Sequence, residues 1–250
     1  MKSLSCLLLS LALVAACSSP PPAPAPAGGG KKVDAASAGS LAGRVTFTGT
    51  PPKPDLLRMT ADPACVQAAG ATAPSDAVLV GTDGSVQNAF VYIKDGIDPA
   101  FSFDTPVTPV VLLDQKGCRY VPRVVGIRVG QPLEVFNSDD TLHNVHAMPM
   151  ANQEFNRGQP AKAPKLAHTF TVPEVMVRFK CNVHGWMTAH VGVMTHPYFA
   201  VTGADGSFEI KGVPAGTYTL AVWHEEFGNG IQTVTIADRE AKTVGFTLKQ

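Results

Sequence analysis

The chain has 250 residues, and 20 Lys and Arg balance 20 Asp and Glu, so its formal charge is zero. No basic excess points to a nucleic-acid partner. Only 16% of residues are charged, while Gly (23) and Pro (21) are frequent, which suits an exported all-β protein with many turns and room for one or two cores.

Lys2 followed by the apolar stretch Leu7 to Val14 reads as an export signal over residues 1–16. It is too short for a stable membrane span. Its removal takes away Lys2 alone among charged residues, leaving a net charge of about −1. Val14-Ala15-Ala16-Cys17 resembles a bacterial lipobox, which implies that Cys17 becomes a lipidated amino terminus. Ser18 in the next position resembles an outer-membrane address of Gram-negative lipoproteins. The resemblance therefore implies a lipid-anchored protein on the periplasmic face of the outer membrane. Ordinary cleavage without lipid is the alternative. Residues 17–40 are rich in Ser, Pro, Ala and Gly and read as a partly extended tether, because they bring too little apolar surface to form a core.

Leu41 to Phe47 and Val86 to Ile93 read as strands. Between them, Asp62 as N-cap, Pro63 at the first helical position and Gly70 at the end predict one short helix, which carries Cys65.

The central segment holds the chemistry. Pro132 to Phe136 reads as a strand entering the loop Asn137-Ser138-Asp139-Asp140-Thr141, and His143-Asn144-Val145-His146 follows. Val175 to Lys180 is a second strand, ending at Cys181-Asn182-Val183-His184-Gly185-Trp186-Met187. That loop supplies a thiolate, an imidazole and a thioether, and a second imidazole would complete a His₂Cys set with a weak axial Met, as in blue-copper electron-transfer sites. Zinc is the competing metal, but structural zinc favours paired Cys and His spacings, and Met is a poor zinc ligand.

These motifs resemble the cupredoxins of the amicyanin and plastocyanin type, over roughly residues 104–197. The resemblance implies a Greek-key sandwich and one type 1 copper. By it, His143, Cys181, His184 and Met187 are ligands, Asn144 holds the two ligand loops together, and His184 is the electron exit. His146 is a lesser ligand candidate, and His190 reads as a surface residue. Met150, Phe155 and Trp186 read as a docking patch near His184. Asp139 and Asp140 read as a solvated loop.

Further on, Ala204 to Ile210 and Gly212 to Val222 are turn-and-strand units, and Gln232 to Ile236 and Lys242 to Leu248 complete the series. The Asp-Gly-x-Phe and Val-Pro-x-Gly-x-Tyr elements resemble a carboxypeptidase regulatory-like domain, a transthyretin-type β-sandwich. The Gly-x-Val and Ala-x-Val strands that open such domains stand at Gly43 and Ala89. A sandwich built from residues 41–98 and 199–250 and split by the copper domain is therefore expected. The alternative is a plain series of domains. The combination resembles methylamine-utilisation-type lipoproteins. Trp223-His224-Glu225-Glu226 begins like a zinc-protease helix, but Gly228 stands where the second His is required.

Of the five cysteines, Cys6 leaves with the signal, Cys17 takes lipid and Cys181 takes copper. Cys65 and Cys118 remain, and in an oxidising compartment a disulfide is the economical reading, with free thiols or a second metal site as alternatives. The expected function is single-electron transfer between redox protein partners, with a lipid anchor to the membrane and no nucleic acid. A periplasmic copper carrier, or a structural or adhesion module with incidental copper, are the alternatives. No nucleophile–base pair is evident and Met187 would close the copper site, so an enzyme is not expected.

Overall fold

Leu41, Val45 and Phe47 alternate along the first strand, and that period of two turns their side chains into a common core. In a computed structural model of the chain, residues 30–105 and 109–249 are described. The expected signal, Cys6, Cys17 and the first part of the tether lie outside the described residues. The tether reading fails at its other end. The Lys31 N–H donates to the Ala100 carbonyl, the Ser102 N–H donates to the Lys31 carbonyl, and Lys32 pairs with Asp104. These backbone bonds fasten the segment to the body before the first strand begins at Gly39.

In chain order, β1 (Gly39–Phe47) leads to β2 (Leu56–Arg58), α1 (Pro63–Ala69), β3 (Thr72–Pro74) and β4 (Phe90–Asp95). The central run is β5 (Val111–Gln115), β6 (Tyr120–Val121), β7 (Val124–Arg128), β8 (Pro132–Asn137), β9 (His143–Met148), β10 (Phe155–Gln159), β11 (Leu166–Thr169), β12 (Glu174–Lys180) and β13 (Thr188–Met194). The chain closes with β14 (Phe199–Val201), β15 (Ser207–Val213), β16 (Gly216–His224), β17 (Gly228–Ile236), β18 (Ala241–Thr243) and β19 (Phe246–Leu248). The fold is all-β, with α1 as its one α-helix among the described residues.

Strands from the two ends of the chain share sheets. One sheet runs β15-β1-β18, with β19 also on β1, and a second runs β14-β4-β16-β17. Leu41 lies opposite Ile210, and Val91 lies opposite both Ala200 and Val222. Their core joins Leu41, Val45, Val91 and Ile93 to Tyr218, Leu220, Val222 and Ile236. The central strands form their own pair of sheets, β10-β9-β12-β13-β7 and β11-β8-β5-β6, around Leu113, Ile127, Leu133, Val145, Phe179 and Val191.

The two sandwiches meet through aromatic rings seated on glycines. Phe90 and Phe199 stack at 5.6 Å and pack with Val124 and Met194. A Cβ on Gly126 would lie 2.3 Å from the Phe199 ring, and one on Gly192 would lie 2.6 Å from the Phe90 ring. Only a residue without a side chain lets the rings approach this closely. Beside them, the buried Arg123 donates to both carboxylate oxygens of Glu225, at 2.6 and 2.7 Å. His190, expected at the surface, is buried here with its ring 4.8 Å from that of Trp223. Burial holds His190 near 4.

Candidate metal centre

β9 and β12 are adjacent antiparallel strands, with Lys180 opposite His146. This register puts the start of β9 and the end of β12 at the same edge of the sandwich. His143 enters from β9, and Cys181 leaves from β12. The turn after Cys181 closes on itself: the Met187 N–H donates to the His184 carbonyl, and the Cys181 N–H donates to the Met187 carbonyl. His184 is carried back toward Cys181, and Met187 is packed into the core beneath.

The three ring and sulfur donors converge. The Nδ1 atoms of His143 and His184 are 2.9 Å apart, and the Cys181 Sγ is 3.9 Å from His184 Nδ1. All four expected ligands are buried: His143 0%, Cys181 1%, His184 2% and Met187 1% exposed. Backbone N–H groups of Asn144 and His184 both donate to the Cys181 Sγ, at 3.4 Å. Although burial opposes it, these donors and His143 lower the Cys181 thiol below its ordinary range and favour the thiolate.

Each imidazole is held from behind by a carboxylate. His143 Nε2 lies 2.9 Å from Asp139 Oδ2, and His184 Nε2 lies 3.0 Å from Asp62 Oδ2. With the Nε2–H donating outward, both Nδ1 atoms present lone pairs to the same point, an assignment that follows from the hydrogen-bond network. Two acceptors 2.9 Å apart require a cation or a proton between them. A carboxylate behind each imidazole is the orienting arrangement of metal-binding histidines. The donor set therefore fits a soft transition-metal ion, and thiolate with two imidazoles fits copper. Burial opposes protonation of His143, but the Asp139 hydrogen bond and the Cys181 thiolate raise it to about 9. Burial lowers His184.

Asp139 corrects the reading of a solvated loop. Its side chain is 8% exposed and accepts the Gly117 and Cys118 N–H groups at 2.7 Å each, besides holding His143. Asp62 has a larger part than the N-cap predicted for it. Its Oδ1 accepts the Ala64 N–H at the start of α1, and its Oδ2 also accepts from the Thr141 hydroxyl at 2.7 Å. The spacing of Asp62 as a cap was visible in the sequence, but nothing local linked it to His184, which lies 122 positions away.

The expected disulfide partners Cys65 and Cys118 are bonded, with Cα atoms 5.5 Å apart. The bond joins α1 to the turn before β6. Cys65 Sγ is 3.6 Å from His184 Nε2, and Trp186 donates its indole N–H to the Cys118 carbonyl at 3.0 Å while its ring lies tilted against that of His184, 5.1 Å away. α1, Asp62 and Trp186 cover His184, which is buried. Asn144 accepts from the Asn182 N–H and donates to Asn156, tying β9 to the ligand loop. His146 points away from the site. Three residues past His143 on a strand, it faces the other way and contacts Asn182 and Glu154. The expected docking patch is divided. Phe155 lies opposite Ala147, four residues or roughly 13 Å along β9 from His143, whereas Trp186 sits over His184.

The family model for the carboxypeptidase regulatory-like domain matches residues 188–249. Curated proteins give no match. Among solved structures, a purple cupredoxin from Nitrosopumilus maritimus aligns at 19% identity and a TM-score of 0.29, covering 33% of this chain and 98% of its own. A methionine-to-alanine variant of amicyanin in the Cu(I) state aligns at 20% identity and a TM-score of 0.30, covering 41% and 97%. A copper-containing nitrite reductase from Thermus scotoductus aligns at 16% identity and a TM-score of 0.32, covering 60% of this chain and 28% of the reductase.

Proposed function

We propose that this chain is an envelope-anchored electron-transfer protein holding one type 1 copper through His143, Cys181, His184 and Met187, within a copper unit inserted in a regulatory-like sandwich. One observation carries the reading: two imidazole Nδ1 atoms and a thiol converge at a buried point, with a carboxylate behind each imidazole. When bound, copper supplies a one-electron couple. The chain's own residues do the rest. The Asn144 and His184 N–H groups stabilise the thiolate, and Asp139 and Asp62 fix the two imidazoles in one tautomer. The sandwich excludes water and holds the donors against rearrangement when the charge of the site changes by one.

Burial of all four side chains favours retention of the metal over delivery, which sets electron transfer above the copper-carrier reading. The lipid anchor at Cys17, the outer-membrane location and the redox protein partners are parts of the proposal that rest on the sequence. Voltammetry of the copper-loaded protein tests it: reversible one-electron waves with the metal retained are expected, and loss of Cu(I) on each reduction would favour a carrier.

A further inference from the structure

The metal centre has a cover from outside the central strands. Between β1 and β4 the chain leaves its own sheets, forms the β2–β3 hairpin and α1, and lays Asp62 and Cys65 over the outer edge of His184. Two further groups of donors flank the centre on this side: Asp62, Cys65 and His184, and Cys118, Asp139 and His143, each with its donor atoms within 4.8 Å of one another. Both contain one cysteine of the same disulfide. The disulfide therefore connects the residue behind one imidazole to the turn whose N–H groups hold the carboxylate behind the other.

We propose that the Cys65–Cys118 disulfide is a latch on metal exchange, closing the route by which copper enters and leaves at His184; the inference rests on the copper reading above. Cys181 and Met187 are enclosed by the sandwich core, whereas the outer edges of His143 and His184 are covered by the turn around Cys118 and by α1, the two segments that the disulfide joins. The excursion that carries α1 packs Met59 and Cys65 against the central core and is tied down by the Arg119 bond to the Pro74 carbonyl, by the Asp62 bonds to Thr141 and His184, and by the disulfide, which is its one covalent tie among the described residues. Hydrogen bonds open and close freely in local fluctuations, whereas a covalent bond across 53 residues keeps α1 against the turn before β6 while it persists. Both cysteines are buried, so an external dithiol would release the bond by thiol–disulfide exchange only during a local opening that exposes a sulfur. The two thiol protons and two electrons of the dithiol pass to Cys65 and Cys118, and the dithiol leaves as its own disulfide. Metal loading would then precede closure of the disulfide, and the closed protein would keep its copper through redox cycles.

The test compares the full protein, loaded with one equivalent of copper in its dithiol form and then oxidised to close the disulfide, with the Cys65→Ser/Cys118→Ser variant loaded directly, and both are reduced to Cu(I) with ascorbate. An excess of a Cu(I)-specific chelator is added, and the rate of copper transfer is followed by the absorbance of the chelate. The variant is expected to release copper faster by on the order of 30- to 1,000-fold, the range by which a disulfide of this span restrains opening. If the variant does not fold, the wild-type protein is treated with a dithiol, freed of it and assayed in the same way, and the same acceleration is expected. Equal release rates from proteins that both bind copper would overturn the latch and leave the copper reading standing. Failure of the oxidised protein and the opened form alike to take up copper would overturn both. A lower urea midpoint with unchanged release would make the disulfide a plain structural staple and also overturn the latch.

Discussion

Asp62 Oδ2 lies 3.0 Å from His184 Nε2, so a residue on the excursion between β1 and β4 orients a donor on the loop after β12. Replacing Asp62 with Asn removes the charge behind the imidazole while keeping the side chain's shape. The loss of an orienting carboxylate is expected to weaken Cu(II) binding by about 10- to 100-fold. A competition titration against a chelator of known affinity checks this. Unchanged affinity would show that Asp62 acts only as the cap of α1.

The glycines at the junction give a second expectation. Gly192→Ala places a methyl group 2.6 Å from the Phe90 ring, and Gly126→Ala places one 2.3 Å from Phe199. The Phe90 ring is buried between the sheets with little room to move, and the Phe199 ring is half-buried beside it. Each substitution is expected to destabilise the protein by about 1–3 kcal/mol, read as a lower midpoint in urea. An unchanged midpoint would mean that the two sandwiches do not pack as described.

Glu225 neutralises a buried cation. Arg123 is 8% exposed and also contacts Asp76, but Glu225 provides its two-point partner. Glu225→Ala is expected to cost about 3 kcal/mol, because it removes one partner and leaves Arg123 only partly compensated. Glu225→Ala combined with Arg123→Met should recover part of that loss. A single variant as stable as the wild type would contradict the assignment.

Three histidines outside the metal centre fix a pH dependence. Burial is the first cause holding His190, His196 and His224 near 4, against an ordinary value of 6.5. Below 6.5 the unfolded chain takes up protons at these positions while the folded chain does not. Stability is therefore complete above about pH 6.5 and falls as the pH drops toward 4. Urea midpoints measured across that interval check the slope, and a flat profile would contradict the burial of these rings.

The proposed metal donors can be picked out in the sequence because three of them fall within Cys181 to Met187, where the chemistry of neighbouring side chains can be read directly. The strands beside them were equally plain from their alternation, as were α1 and its Asp62 cap. What surrounds the donors was not. Asp139 looked like one of two solvated acids, because its contacts with Gly117 and Cys118 depend on how β5 and β8 align. His190 looked like a surface residue, because Arg123 reaches it from just before β7, and Trp223 and Glu225 from the end of β16. The covering of His184 depends on the excursion between β1 and β4, and no local spacing encodes it. Local patterns reveal donors, whereas the residues that orient, bury and lock them come together only in the fold.

The central claim is that His143, Cys181 and His184 bind one copper with Cys181 as thiolate. Visible and EPR spectra of the purified protein with one equivalent of Cu(II), beside Cys181→Ser, test it most directly. The account predicts an intense blue thiolate-to-copper band and narrow copper hyperfine splitting in the wild type, both lost in the variant. A pale, ordinary Cu(II) spectrum in the wild type, or strong blue colour surviving in Cys181→Ser, would contradict it.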